Sequence, residues 1–297
     1  MSRFLSRAVL TALGLFAAGL LCADDLSPSL PDTRAFLEET RQNLRSDRLL
    51  LDQYTFNETF TEKRLDGKGA VKKAKTEIYE VYPSLEPGKM YRRLIARDGK
   101  PLSEKELAEQ DRKQEERAEK RERRRDEEDA AARQKRLAKE EENRRKEREA
   151  IDELFRMDEI EIAGREVVDG RPTVIVRFAP LPGFRPKTDA GKIIQKLAGR
   201  AWIDEEDKQL VRLETTLLDT LGVGPAGVAR LQKGSTGYFQ RLKVNHEIWL
   251  PSEARFTGAA KVLLLFTTRV DVLSQYGEYK KFSVGTEEEI ATEKATN

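Results

Sequence analysis

Residues 103–149 read SEKELAEQDRKQEERAEKRERRRDEEDAAARQKRLAKEEENRRKERE, and this stretch decides how the rest of the chain is organised. From Glu104 to Glu149, 34 of 46 residues are charged, 17 acidic and 17 basic, and Leu107 and Leu137 are the only large apolar side chains. No face carries an apolar stripe wide enough to enter a core, so the segment is expected to be solvent-exposed. It can still be helical. Glu precedes a base by four at Glu116/Lys120, Glu119/Arg123, Glu140/Arg144, Glu141/Arg145 and Glu142/Lys146, each pair adding about 0.2–0.5 kcal/mol to an isolated helix. Ser103 reads as the N-cap, Glu106 as its capping-box partner, and Leu102 with Leu107 as the hydrophobic staple. The pattern predicts one long helix over 103–151, about 70 Å if straight. Its positions at a and d spacing are not apolar, which argues against a coiled coil. Its acids answer its bases along every side, which argues against nucleic acid.

Flanking composition sets the compartment. Residues 1–23 read as a signal peptide: Arg3 and Arg7 form a basic start, Ala8 to Leu21 a short apolar run, and Leu21-Cys22-Ala23 a cleavage site. The run is shorter than the roughly 20 residues that span a bilayer. Secretion with cleavage near Ala23 is the expectation, with membrane anchoring as a lipoprotein through Cys22 as the alternative. Leu21 departs from the small residue that lipid attachment resembles needing. Cleavage would remove the single cysteine, so no disulfide and no thiolate zinc site is expected. Losing Arg3 and Arg7 takes the formal charge from +2 to 0, giving no general pull towards anionic partners.

Outside the charged segment the pattern turns to β. Asp32 can cap a leading amphipathic helix carrying Phe36, Leu37, Leu44 and Leu51. Tyr54, Phe56 and Phe60 then alternate with Thr55, Asn57, Thr59 and Thr61. Asp66-Gly67-Lys68-Gly69 marks a turn before a strand at Thr76 to Tyr82, and Met90 to Arg97 makes a third. After the charged segment, Glu159 to Val168 and Thr173 to Phe178 form a hairpin around Asp169-Gly170. A short helix, Asp189 to Ala198, turns Ile193, Ile194 and Leu197 inward and ends at an αL cap on Gly199. Strands follow at Arg200 to Ile203, Gln209 to Leu218, Tyr238 to Leu250, Glu253 to Thr257, Lys261 to Val272 and Tyr276 to Ser283. Leu263-Leu264-Leu265-Phe266 is continuous, as in a strand buried on both faces. Gly222 to Gly237 reads as a mobile loop. About ten strands with short connections favour an antiparallel meander, curled into a barrel or half-barrel with a helix over its open face.

At Trp202-Ile203-Asp204, through an acidic turn to Leu210-Val211-Arg212-Leu213-Glu214, the chain resembles the LolA/LolB-like outer-membrane lipoprotein-carrier family. The leader, the first helix, the successive hairpins and Ile248-Trp249-Leu250-Pro251 fit the same order. The resemblance covers residues 30–100 and 155–283. It implies a periplasmic α+β, mainly antiparallel β half-barrel covered by helices, whose concave face holds acyl chains. A charged helix of this length is foreign to that family. The organisation expected is therefore a signal peptide at 1–23, one discontinuous half-barrel over 24–102 and 152–285, a charged helical insertion at 103–151, and a disordered tail at 286–297.

Catalytic signals are sparse. His246 is the only histidine, and it falls on the apolar side of its expected strand, where a hydrogen-bonded structural role outweighs a general base. No nucleophile elbow, phosphate loop or dinucleotide fingerprint occurs. Gly222 to Gly227 lacks the Lys-Ser/Thr of a nucleotide loop. Asp204 to Asp207 reads as a solvated turn before it reads as a cation site. No catalytic residue, metal ligand or cofactor is expected. The ligand-binding candidates are Phe56, Phe60, Tyr79, Tyr91, Trp202, Phe239, Ile248, Trp249 and Phe266, which could line an apolar cavity or fill a packed core. The expected partners are the acyl chains of a lipid or lipoprotein, bound by a monomer without nucleic acid. The alternative is a structural or interaction module of the cell envelope, using the helix Glu104 to Glu149 as spacer or docking arm.

Overall fold

The computed structural model describes residues 29–43, 53–83, 90–223, 229–262 and 266–281. The leader 1–23 with Cys22, the tail 286–297, and Leu44, Leu51 and Leu263 to Leu265 lie outside the described residues. The expectation of an α+β, mainly antiparallel fold on one open curved sheet holds.

Four strands precede the charged segment and a fifth follows it directly. They are β1 (Tyr54–Leu65), β2 (Val71–Pro83), β3 (Met90–Arg97) and the short β4 (Lys100–Pro101) before the charged segment, with β5 (Asp158–Val168) opening the second half. Then come β6 (Arg171–Pro180), β7 (Leu197–Asp204), β8 (Leu210–Leu217), β9 (Leu221–Val223), β10 (Ala229–Leu231), β11 (Thr236–Val244), β12 (Ile248–Val262) and β13 (Phe266–Lys281). Along the sheet they run β4-β3-β2-β1-β13-β12-β11-β8-β7-β6-β5, with β10 joining β12 to β9. The halves are sewn together by β1 against β13, from Tyr54/Lys281 to Leu65/Arg269. Most neighbours are sequential, as a meander requires. The pairings β1–β13, β8–β11 and β10–β12 are not.

The number of strands exceeds the expected ten because of the short β4, β9 and β10, while the four strands expected over 238–283 are three, β11 to β13, with turns at other places. Tyr238 to Leu250 is not one strand but the end of β11, a turn, and the start of β12. Asn245 and His246 have φ of 50° and 59°, the doubly left-handed signature of a two-residue hairpin turn, and Glu247 N donates to Val244 O. His246 is exposed there and not on an apolar strand face. Lys261 to Val272 likewise divides, β12 ending at Val262 and β13 beginning at Phe266. The described residues of the glycine-rich 222–237 stretch include the end of β9, all of β10 and the start of β11.

Helix α1 (Thr33–Asn43) starts where expected, with Asp32 Oδ1 accepting from Ala35 N at 2.9 Å. Its Phe36 is buried against Val174, Val176 and Ile203, with Ile160, Ile162 and Ala201 around them. This helix therefore covers the β5–β7 end of one sheet face.

The charged segment is two helices and not one rod. α2 (Glu104–Asp126) begins at the Ser103/Glu106 capping box. α3 (Ala130–Met157) begins after a break whose Asp129 Oδ1 accepts from Ala132 N at 2.7 Å. Glu128 closes the joint on Arg136 at 2.9 Å. Four consecutive acids, Asp126 to Asp129, sit unfavourably at the negative end of α2 and favourably at the positive start of α3, so the helix restarts there. Both ends are fastened. Asp111 takes a two-pronged bond from Arg93, and the Gln110 side chain pairs with both the N–H and the carbonyl of Leu94. At the other end, Arg41 pairs with Asp152 at 2.7 Å.

Glu153, buried at 4% exposure, caps α4 (Asp189–Ile194). Its carboxylate accepts from Lys187 N, Thr188 N and the Thr188 hydroxyl. Burial raises this carboxyl, but those donors hold it below the ordinary value of 4.5. A carboxylate lowered on folding stabilises fully above its unfolded value, and that share is lost as pH falls through the folded one. Glu153→Gln is expected to cost about 1.5–3 kcal/mol at pH 7, and the gap to wild type should close in melts below the ordinary carboxylate range. A pH-independent gap would refute the assignment.

α4 is shorter than expected, and Ile193 is 44% exposed instead of facing inward. Gly199 is not its αL cap; it lies within β7, where a Cβ would overlap the Glu214 carbonyl oxygen on the neighbouring strand.

Candidate functional site

Directly paired residues on neighbouring strands share a face, so the register reads out what each face presents. One row runs Ile162–Val176–Ala201–Leu213 and on through Phe239, Ala254 and Ser274 to Phe60. The next row runs Ile160–Phe178–Gly199–Thr215–Gly237–Phe256–Val272. α1 covers the first members of both. Further along, Leu213, Phe239, Phe256, Val272 and Phe60 are only half-buried. The opposite face is charged, its corresponding row being Glu161–Arg177–Arg200–Glu214–Tyr238–Arg255. One face thus carries a mainly apolar row across eight strands, and the other is charged along this row, with a separate buried cluster of Val168, Trp202, Val211 and Trp249.

The nine candidate residues divide between these surroundings. Phe60 and Phe239 lie in the apolar row, and Tyr79 lies beside it, opposite Glu58. Phe56 is buried on the same strand face, with ring centroids 6.0 Å from Tyr276 and 5.1 Å from Tyr279. Tyr91 pairs with Tyr82, placing it on the face opposite Tyr79. Trp202 pairs with Arg212 on the charged face. It is packed with Trp249, Val168 and Val211, and its Nε1 donates to Glu166 at 2.8 Å. Ile248 is buried against Tyr54, Val244 and Leu250. Phe266 opens β13 opposite Val262. The structure therefore brings together Phe56, Phe60, Tyr79 and Phe239 on one face, and sends Tyr91 and Trp202 to the other.

A polar cluster that sequence reading missed interrupts the apolar face at β1–β3. Glu58, 7% exposed, accepts from Arg92 Nε at 2.7 Å and from the Ser274 hydroxyl at 3.0 Å. Arg92 stacks 4.0 Å above the Tyr79 ring. Glu77, 6% exposed, pairs with Lys75 at 2.8 Å and Arg97 at 3.3 Å. Burial alone would raise the Glu77 carboxyl, but bonds from Lys75, Tyr79 and Arg97 hold it below the ordinary value. Burial and the Glu77 carboxylate push the Tyr79 hydroxyl up to about 12. The signal was available: Glu58 has the same parity as Tyr54, Phe56 and Phe60, so it had to share their face.

Two surface grooves accompany these faces. One, of about 400 Å³, lies on the charged face and is lined by Arg200, Glu214, Tyr238 and Arg255 with Thr216, Thr236 and Thr257. The other, of about 420 Å³, is lined by Glu62, Arg64, Lys73, Lys75, Arg97 and Asp98. Neither contains any of the nine candidates. Asp204 of the acidic turn is fully buried and engaged by Arg171. Among the described residues no group of three metal-ligating side chains exists, and no helix is long and apolar enough to cross a membrane.

No family model and no curated protein matches the chain in sequence. Among solved structures it is similar to a DUF1329 family protein from Desulfovibrio piger, at 10% identity and a TM-score of 0.32 over 86% of this chain and 95% of that one. It is also similar to a LolA superfamily protein from Nitrosomonas europaea, at 8% identity and 0.28 over 86% and 96%. A third is an outer membrane lipoprotein-sorting protein domain from Vibrio parahaemolyticus, at 7% identity and 0.29 over 89% and 97%. Superpositions this loose transfer no residue role, so the site is read from its own chemistry.

Proposed function

We propose that this chain is a non-catalytic protein of the bacterial periplasm that holds an acyl chain of a lipid or lipoprotein against the apolar row of its sheet. The observation that carries the reading is the half-buried run Leu213–Phe239–Ala254 with Phe60 beyond it, continuous with the core under α1. A chain lying across strands there would bury methylenes at about 0.8 kcal/mol each. Eight of them give roughly 6 kcal/mol before the cost of ordering, enough for reversible capture. The polar cluster at β1–β3 supports binding over chemistry. Its shifts run away from neutrality, Glu77 downward and Tyr79 upward, whereas a general acid or base works best near the operating pH.

The test is organic extraction and mass spectrometry of the full chain purified without detergent. An acyl-chain lipid is expected with wild type and at least about tenfold less with Phe239→Asp, the loss of about 1.4 kcal/mol being a low bound for placing a charge in that contact. Phe239 is half-buried, so melting should confirm that the variant folds. Wild type that emerges free of lipid from a membrane-containing lysate would end this reading.

A further inference from the structure

The near-neutral charge of the whole chain conceals a local imbalance at the β1–β2 hairpin. Residues 62–75 hold six bases, Lys63, Arg64, Lys68, Lys72, Lys73 and Lys75, against two acids, Glu62 and Asp66. The acids are occupied. Glu62 pairs with Arg64 at 3.0 Å, and Asp66 Oδ1 accepts from Lys68 N at 2.8 Å and Ala70 N at 2.9 Å. Those backbone bonds, with the Lys72 charge a smaller contributor, hold the Asp66 carboxyl below its ordinary value. Lys75 belongs to Glu77, and Lys63 lies opposite Asp271. Lys68, Lys72 and Lys73 form no ion pair among the described residues and are exposed. Between them Val71 is 55% exposed. The turn is braced, since Arg269 Nη1 donates to Gly67 O at 2.9 Å and Gly69 takes φ 87°.

We propose that this hairpin tip docks on the surface of a membrane bearing anionic phospholipid. A rigid apex presenting unpaired lysines around an exposed valine matches the two terms of interfacial binding, attraction to anionic headgroups and shallow apolar insertion. The basic groove lined by Arg64, Lys73, Lys75 and Arg97 opens from the tip, and Lys75 and Arg97 flank the buried Glu77 that pairs with Phe60. A nucleic acid would gain nothing from Val71. The proposal stands apart from acyl capture, because it concerns the tip and not the row.

The experiment is co-sedimentation of the full chain with vesicles of phosphatidylcholine containing about 30 mol % phosphatidylglycerol, against pure phosphatidylcholine, at about 0.1 M salt. Wild type is expected to favour the anionic vesicles, and K68Q/K72Q/K73Q to bind them about 100-fold more weakly, from three lost lysine–surface attractions. The three side chains are exposed and unpaired, so melting should not change. Acyl load by mass spectrometry should be unaffected in this variant, which separates failure at the tip from failure at the row. Equal binding to both vesicle types, or undiminished binding by the triple variant, would overturn the proposal. So would complete competition by millimolar inorganic phosphate at constant ionic strength, which would mark a site for the free anion.

Discussion

Replacing residues 102–157, the whole connection between β4 and β5, by a three-residue Gly-Ser-Gly linker is expected to prevent the complete sheet from forming, whereas a flexible linker of some two dozen residues is expected to preserve it. The reason is topological. The charged segment leaves the sheet at β4 and returns at β5, and these are the opposite ends of the hydrogen-bonded order. Ten strand-to-strand steps separate them, a contour of about 48 Å at about 4.8 Å per step. Curling that contour into a semicircle still leaves roughly 30 Å between the edges, while three extended residues reach only about 11 Å. The short linker would therefore strip an edge hairpin from the sheet, at a cost on the order of 5 kcal/mol, comparable to the lower end of a domain's total stability. The long linker gives up the contacts of Asp111 and Gln110 with β3, of Asp152 with Arg41 and of Glu153 with Thr188, but leaves both edge hairpins free to pair. Urea denaturation of the two variants decides the matter. If the short-linker protein unfolds at the wild-type midpoint, the helices are a projection and not a strap between edges.

How much of this was legible in the chain depends on whether the information is local. The capping box at Ser103 and Glu106, the Asp32 cap, the Asp66-Gly67 and Asp169-Gly170 turns and the alternation of β1 all act within a few residues, and each appears where the sequence puts it. The turn at Asn245-His246 was missed because no glycine announces it, although asparagine tolerates the left-handed region better than most residues. Gly199 was read as a helix cap because the clash that forbids a side chain there comes from Glu214, on another strand. The candidate site divides by the same logic. The common face of Phe56 and Phe60 follows from period two, but that Phe239 joins their row depends on β1 pairing with β13, some 200 residues away in sequence. Likewise Trp202 and Trp249 look like cavity aromatics in one dimension. In three they are packed with Val168 and Val211, and Trp249 Nε1 donates to Asp207 at 2.8 Å.

Asp204→Ala is expected to lose about 2–5 kcal/mol of stability, chiefly the cost of leaving two turn amides without their acceptor and of losing the closest partner of Arg171. Asp204 ends β7 with no exposed surface. Its Oδ2 accepts from Arg171 Nε at 2.6 Å, and its Oδ1 accepts from Arg171 Nη2 at 2.9 Å and from the amides of Glu206 and Asp207 at 3.1 and 2.7 Å. One carboxylate thus joins β6 to β7 and shapes the turn into β8. Alanine would orphan two amides and release Arg171, which also lies 5.5 Å from the Trp249 ring centroid. The damage should reach the Trp202–Trp249 packing and shift tryptophan fluorescence before global unfolding. Glu206→Ala is the matched control: Glu206 shares the same turn and also pairs with Arg171, but its side chain is 80% exposed, so its loss should stay within about 0.5 kcal/mol. Arg171 keeps Glu206 and Asp207 as partners when Asp204 is removed, so Arg171→Met on the Asp204→Ala background should cost less than Arg171→Met alone, because the Asp204 pair is already gone. Additive losses in that double-mutant cycle would show that Asp204 and Arg171 act independently, and the acidic turn would then have to be stabilised by its backbone alone.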